Sequence, residues 1–93
     1  MAHTVQFTTH AAERLSQRFG ATMRTGVSVD ISDAFEPAGF AYRHNSTGHM
    51  IQNFVARDRS VRLVLTVDMD TGSVITVMTE GPVVDAVYRA KAH

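Results

Sequence analysis

Leu63-Val64-Leu65-Thr66-Val67-Asp68-Met69-Asp70-Thr71-Gly72-Ser73-Val74-Ile75-Thr76-Val77-Met78 reads as two strands around a tight turn. β-Branched and apolar residues fill both arms, and Asp70-Thr71-Gly72 interrupts them with residues suited to a three-residue loop whose glycine takes the left-handed conformation. Such a loop pairs Met69 with Ser73 and sets Thr66 opposite Thr76. Successive strand side chains point to opposite faces, so Leu63, Leu65, Val67, Ile75 and Val77 share one side. Arg62, Thr66, Asp68, Thr76 and Glu80 share the other, with Val64, Val74 and Met78 among them. The first side is expected to meet helices and the second to stay polar, or partly covered.

Working outward, a two-residue turn at Asp58-Arg59 extends the same division and sets Phe54 beside Leu63 and His49 beside Asp68. The loop Asn45-Ser46-Thr47-Gly48 counts as three or four residues. The shorter count buries Phe40 with Phe54 and turns Arg43 to the polar face, whereas the longer one turns Tyr42 and His44 there. The burial of Phe40 favours the shorter count. From Phe40 to Thr79 the pattern is therefore a four-stranded antiparallel meander, and Gly81-Pro82 starts a short C-terminal helix carrying Val83, Val84, Val87 and Tyr88.

Before the meander, Thr9-His10-Ala11-Ala12-Glu13-Arg14-Leu15-Ser16-Gln17-Arg18-Phe19-Gly20 is an amphipathic helix. Ala11, Ala12, Leu15 and Phe19 fall on one side, Thr9 can cap it and Gly20 can end it. Val5 and Phe7 alternate ahead of it as a short strand or an extended lead. Val27, Ile31, Ala34 and Phe35 recur at helical spacing with Ser28 as cap and Asp30 near the positive end of the dipole, stopped by Pro37 and Gly39. Val27, Val29 and Ile31 also alternate as a strand would. The expected fold is α+β: two N-terminal helices packed on a four-stranded antiparallel β-meander, with a short C-terminal helix, in one domain spanning residues 1–93.

With 93 residues and 44% hydrophobic content, the chain has room for one small core. Having no cysteine, it has neither a disulfide framework nor a thiolate metal site. Met1-Ala2-His3-Thr4 opens no basic-then-apolar leader and no apolar run reaches the ~20 residues a bilayer span needs, which leads to the expectation of a cytoplasmic protein without a membrane partner. The net charge is zero, an average over basic and acidic blocks, and eight of the nine basic residues are arginine. Arginine suits bidentate recognition of phosphate or carboxylate.

His10, Arg14 and Arg18 stack at i, i+4 and i+8 on the exposed side of the first helix, a line able to hold a phosphate. Metal-free cleavage of RNA needs a base for the 2′-hydroxyl, an acid for the departing 5′-oxygen and a cation for the phosphorane. His10 or His49 can exchange the protons, Arg14, Arg43 or Arg62 can hold the phosphate, and Thr76 can donate to a non-bridging oxygen. His44, His49 and Asp68 are metal-competent residues, but their spacing matches no closed motif, so neither a metal site nor a cofactor is assigned.

The segment Thr9-His10-Ala11-Ala12-Glu13-Arg14, followed by Arg18, an acidic second helix and an antiparallel meander, resembles small domains related to RelE-like toxins, within the barnase, EndoU, colicin and RelE-like ribonuclease class. The resemblance implies helices on one face of an antiparallel sheet and RNA on the other. It carries catalytic roles to His10, Arg14, Arg43 and Thr76, and Arg43, Arg62 and His49 would stand in for the lysine and tyrosine of that class. Arg18, Arg62 and Thr66 are the expected RNA-binding residues. The expected function is an RNA-binding domain acting as a metal-independent endoribonuclease of toxin type, with RNA, a host protein or an antitoxin as partner. Its rival is a non-catalytic inhibitor from a phage or mobile element that occupies a host protein.

Overall fold

The computed structural model describes residues 3–19, 24–58 and 60–92. In chain order the elements are β1 (Thr4–Phe7), α1 (Thr9–Phe19), β2 (Ser28–Asp30), β3 (Phe35–Arg43), β4 (Met50–Ala56), β5 (Val64–Asp68), β6 (Ser73–Met78) and α2 (Pro82–Ala92). The strands form one six-stranded sheet in the order β2-β1-β6-β5-β4-β3. All neighbours are antiparallel except β1 and β6, which run parallel through Gln6↔Ser73 and Phe7↔Val74.

This corrects the expected fold in three respects. The sheet has six strands and is mixed, not a four-stranded antiparallel meander. There are two helices among the described residues, because the segment expected to form a second N-terminal helix contains β2 and a turn at 32–34. And the helices do not share one face: α1 packs on one side of the sheet and α2 on the other. The Val27, Val29, Ile31 alternation wins over helical spacing because β1 presents an open edge that β2 satisfies through Thr4↔Asp30, Val5↔Val29 and Gln6↔Ser28. Asp30 then ends the strand, its Oδ1 accepting from Ser32 N at 3.0 Å and Ser32 Oγ at 2.6 Å. An aspartate that captures the backbone two residues on makes a turn, not a helix start.

Two apolar layers result. Phe7, Ala11, Phe54, Leu65, Val74 and Val77 are among the residues buried on the α1 side, and Ala38, Val55, Val64, Val84 and Val87 are buried on the α2 side. Thr8, not Thr9, caps α1. Its Oγ1 accepts from Ala11 N at 3.2 Å and donates to Val74 O at 3.1 Å, so one hydroxyl closes the helix and ties it to β6. The expected Gly20 terminator and the Arg59 half of the Asp58-Arg59 turn lie outside the described residues. On the other face α2 starts with Pro82 at its first position, where a missing N–H costs nothing. The Tyr88 hydroxyl accepts from Leu63 N at 2.9 Å and reaches Val61 O at 3.2 Å, strapping α2 to the segment before β5.

The ladder registers depart from expectation; β4 and β5 keep their expected faces, whereas the start of β6 does not. β4 meets β5 through Phe54↔Leu65 and Ile51↔Asp68, two residues away from the pairing a two-residue turn would give. A two-residue slip leaves every side chain on its original face. Between β5 and β6 the turn is longer than expected, with Asp68↔Ser73, yet Thr66 still pairs with Thr76 because a bulge at Ile75 restores the count. Val74 moves to the α1 core in consequence and is fully buried.

Thr8→Ala removes a cap and a tie to β6 together; it is expected to lower unfolding stability in urea by about 1 to 2 kcal/mol, and Thr8→Ser by less.

Candidate functional site

The residues expected to act together are spread over the molecule. His10 is exposed and Arg14 half-buried on α1, over the Leu65 and Val77 side of the sheet. Thr76 and its partner Thr66 lie on the α2 side, so His10 and Thr76 do not share a cleft. Thr66 is buried and its hydroxyl donates to Asn53 Oδ1 at 2.9 Å. Arg18 pairs with Glu80 at 3.1 Å, and Arg62 pairs with Asp85 while lying 4.8 Å over the Tyr88 ring. Arg57 bonds Glu36 at 3.0 Å. Arg43 pairs across the ladder with Met50, on the α1 side, and donates to Gly48 O. Arg18, Arg43, Arg57 and Arg62 are thus each engaged in a contact within the fold.

His49 and Asp68 do meet. His49 Nδ1 lies 2.8 Å from Asp68 Oδ2, the imidazole about two-fifths exposed and the carboxylate nearly buried. Their strands place them diagonally across the β4–β5 pair, within reach on one face. Asp68 Oδ1 accepts from Asp70 N at 3.0 Å and Thr71 N at 3.2 Å, which shapes the turn after β5 and fixes the carboxylate. Asp70 in turn accepts from Met50 N at 3.1 Å. Across the hairpin His44 N donates to His49 O at 2.8 Å, closing the four-residue loop Asn45 to Gly48. The longer loop therefore holds, and Tyr42 and His44 stand on the His49 side. His44 is exposed, and its Nδ1 faces Ser46 Oγ at 2.9 Å and Ser46 N at 3.2 Å.

Phe40 corrects the shorter-loop reading directly: it is 98% exposed. Ala38 pairs with Asn53 and Tyr42 with Ile51, so β3 carries two extra residues at this point. Gly39 enters the bulge with φ +72°, a conformation other residues adopt rarely. Gln52 compensates for the broken ladder, its Nε2 donating to Ala38 O and Gly39 O, both at 3.3 Å. The bulge opens a groove of about 380 Å³ against α2, lined by Ala38, Phe40, Asn53, Val83, Ala86 and Ala90 among others. Gly39 beside an aromatic was the one local signal for it. Asp70 was likewise missed as a neighbour of His49, because the slipped register brings it there.

The Asp68 hydrogen bond and its negative charge hold the His49 pKa above its ordinary 6.5. The same hydrogen bond, with the Thr71 and Asp70 amides, holds Asp68 below its ordinary 3.8. A raised histidine contributes stability fully below 6.5 and loses it as pH climbs through the raised pKa. A lowered carboxylate contributes above 3.8 and loses it as pH falls through the lowered pKa. Asp68→Asn keeps the acceptor for the turn amides and removes the charge. In EDTA buffer its stability deficit against the native chain is expected to be greatest between about pH 4 and 6.5, declining above, with the His49 ring resonance titrating at lower pH in the variant.

Comparison with protein families, with characterised proteins and with solved structures finds no match to this chain.

Proposed function

We propose that this domain is a non-catalytic interaction module that docks a protein partner on the groove between α2 and the bulged edge of β3. The observation that carries this reading is Phe40, an aromatic held almost wholly in solvent beside an apolar trough. Single exposed apolar residues need no explanation, but Phe40, Val83 and Tyr42 are large, exposed and carried by neighbouring elements. A projecting ring is a knob for a partner's pocket, and aromatic anchors dominate protein interfaces. A small molecule would instead be enclosed over most of its surface. Strand addition along β3 is opposed by Pro37 and the bulge, so the partner is expected to seat side chains, as an amphipathic helix does.

RNA fits this groove less well. Binding of single strands combines aromatic platforms with cations that track the backbone, and among the described residues that line the groove there is no lysine or arginine. A second reading, metal-independent cleavage of RNA in the manner of RelE-like toxins, draws its support from His49, oriented by Asp68 and facing His44 across the hairpin. A histidine oriented by a carboxylate and a second histidine opposite it on the hairpin supply the residue types of an acid and a base.

A photo-crosslinking residue placed at position 40 in the producing cell, with Thr71 as control position, separates the two. The expected result is a defined protein adduct, identified by mass spectrometry, that is absent from the control and lost on Val83→Glu. RNA adducts, or equal adducts at both positions, would overturn the docking reading. With the partner in hand, Phe40→Ser is expected to weaken binding by about 2 kcal/mol or more, roughly thirtyfold, while changing stability by about 0.5 kcal/mol or less. RNA cleavage that survives EDTA and vanishes in His49→Ala would establish the second reading instead.

A further inference from the structure

We propose that His49, Asp68 and Asp70 form a binding site for one divalent transition ion of the zinc class. One donor atom from each side chain lies within 4.8 Å of the others. They come from two separate places in the chain: His49 from the β3–β4 hairpin, Asp68 from the end of β5 and Asp70 from the turn that follows it. An imidazole nitrogen with two carboxylate oxygens matches the donor preference of zinc, cobalt and nickel, whereas magnesium and calcium favour oxygen alone.

Two of the three donors already stand near the spacing an ion requires, and the Asp70 donor lies within 4.8 Å of both. Two ligands on a tetrahedral zinc stand about 3.3 Å apart, so His49 Nδ1 and Asp68 Oδ2, now at 2.8 Å, need only part by about half an ångström. The proton between them leaves to solvent as the ion enters. Asp68 is already oriented by the Asp70 and Thr71 amides, and Asp70 spends Oδ2 on Met50 N, which leaves Oδ1 for the ion. Asp68 and Asp70 also carry two negative charges against a single imidazole, and among the described residues no lysine or arginine ion pair involves either of them. A divalent cation corrects that imbalance. The groove beside Phe40 shares none of these residues, so the site does not rest on the docking reading.

Zinc titrated into the EDTA-stripped full chain by calorimetry, and cobalt followed by visible absorption, test the site. One ion per chain is expected, with tetrahedral cobalt bands, no competition from magnesium and affinity that falls on acidification. Asp70→Asn, which keeps the Met50 contact, and His49→Gln are each expected to weaken binding by roughly tenfold or more. In the native chain, substoichiometric zinc should first perturb the amide resonances of His49, Asp68 and Asp70. Absence of binding at millimolar zinc, unchanged affinity in both variants, or perturbations confined to His3 and His10 would overturn the proposal.

Discussion

Val64 and Leu65 are consecutive on β5 and both are completely buried. Side chains one apart on a strand point to opposite faces, so this strand must be covered on both. The rest of the architecture follows from that demand. α1 lays Ala11 and Ala12 over the Leu65 side, and α2 lays Val84 and Val87 over the Val64 side. The two small alanines let α1 approach closely, while Tyr88 holds α2 down through backbone hydrogen bonds at 61–63. In a chain of 93 residues there is little apolar surface to spare, and two thin cores replace one thick one.

Two-sided cover also determines where function can reside. The sheet face expected to lie open to RNA is partly closed by α2, and Thr66 on that face is buried and bonded to Asn53. On that face the accessible parts include the end of the sheet that carries the His44–His49 hairpin and the Asp68–Gly72 turn, and the trough left where β3 bulges away from α2. Arg18, Arg57 and Arg62 hold carboxylates at helix and loop ends, so the arginine-rich composition serves the fold at these positions. Exposed pairs of this kind add little stability individually, but they occupy cations that a phosphate site would need free.

Face assignments were far more legible than partners. His49 and Asp68 were readable as neighbours because an error of two residues preserves the pleat, even though the 57–63 connection is longer than a tight turn. Thr66 opposite Thr76 was readable because a longer turn and a bulge at Ile75 offset one another. Phe40 was misplaced because a bulge breaks the alternation on which such counting relies. Neither Gly39 nor Gln52 announces a two-residue insertion without the partner strand in view. Asp70 stood two residues from Asp68 in plain sight, and its approach to His49 depended on the final register.

The amino-acid sequence by itself determined the existence of α1, the strand-rich stretch after it, the apolar and polar alternation of the central hairpin, and the pairing of histidine with aspartate on one face. These depend on local periodicity and turn chemistry, which act over a few residues. The parallel contact of β1 with β6, the conversion of 28–30 into a strand, the placing of helices on opposite faces and the exposure of Phe40 were decided only by the tertiary structure. Each requires one segment to satisfy hydrogen bonds or cover surface supplied by residues far along the chain. The pattern of 27–31 suits a helix and a strand alike; the open edge of β1 chose between them.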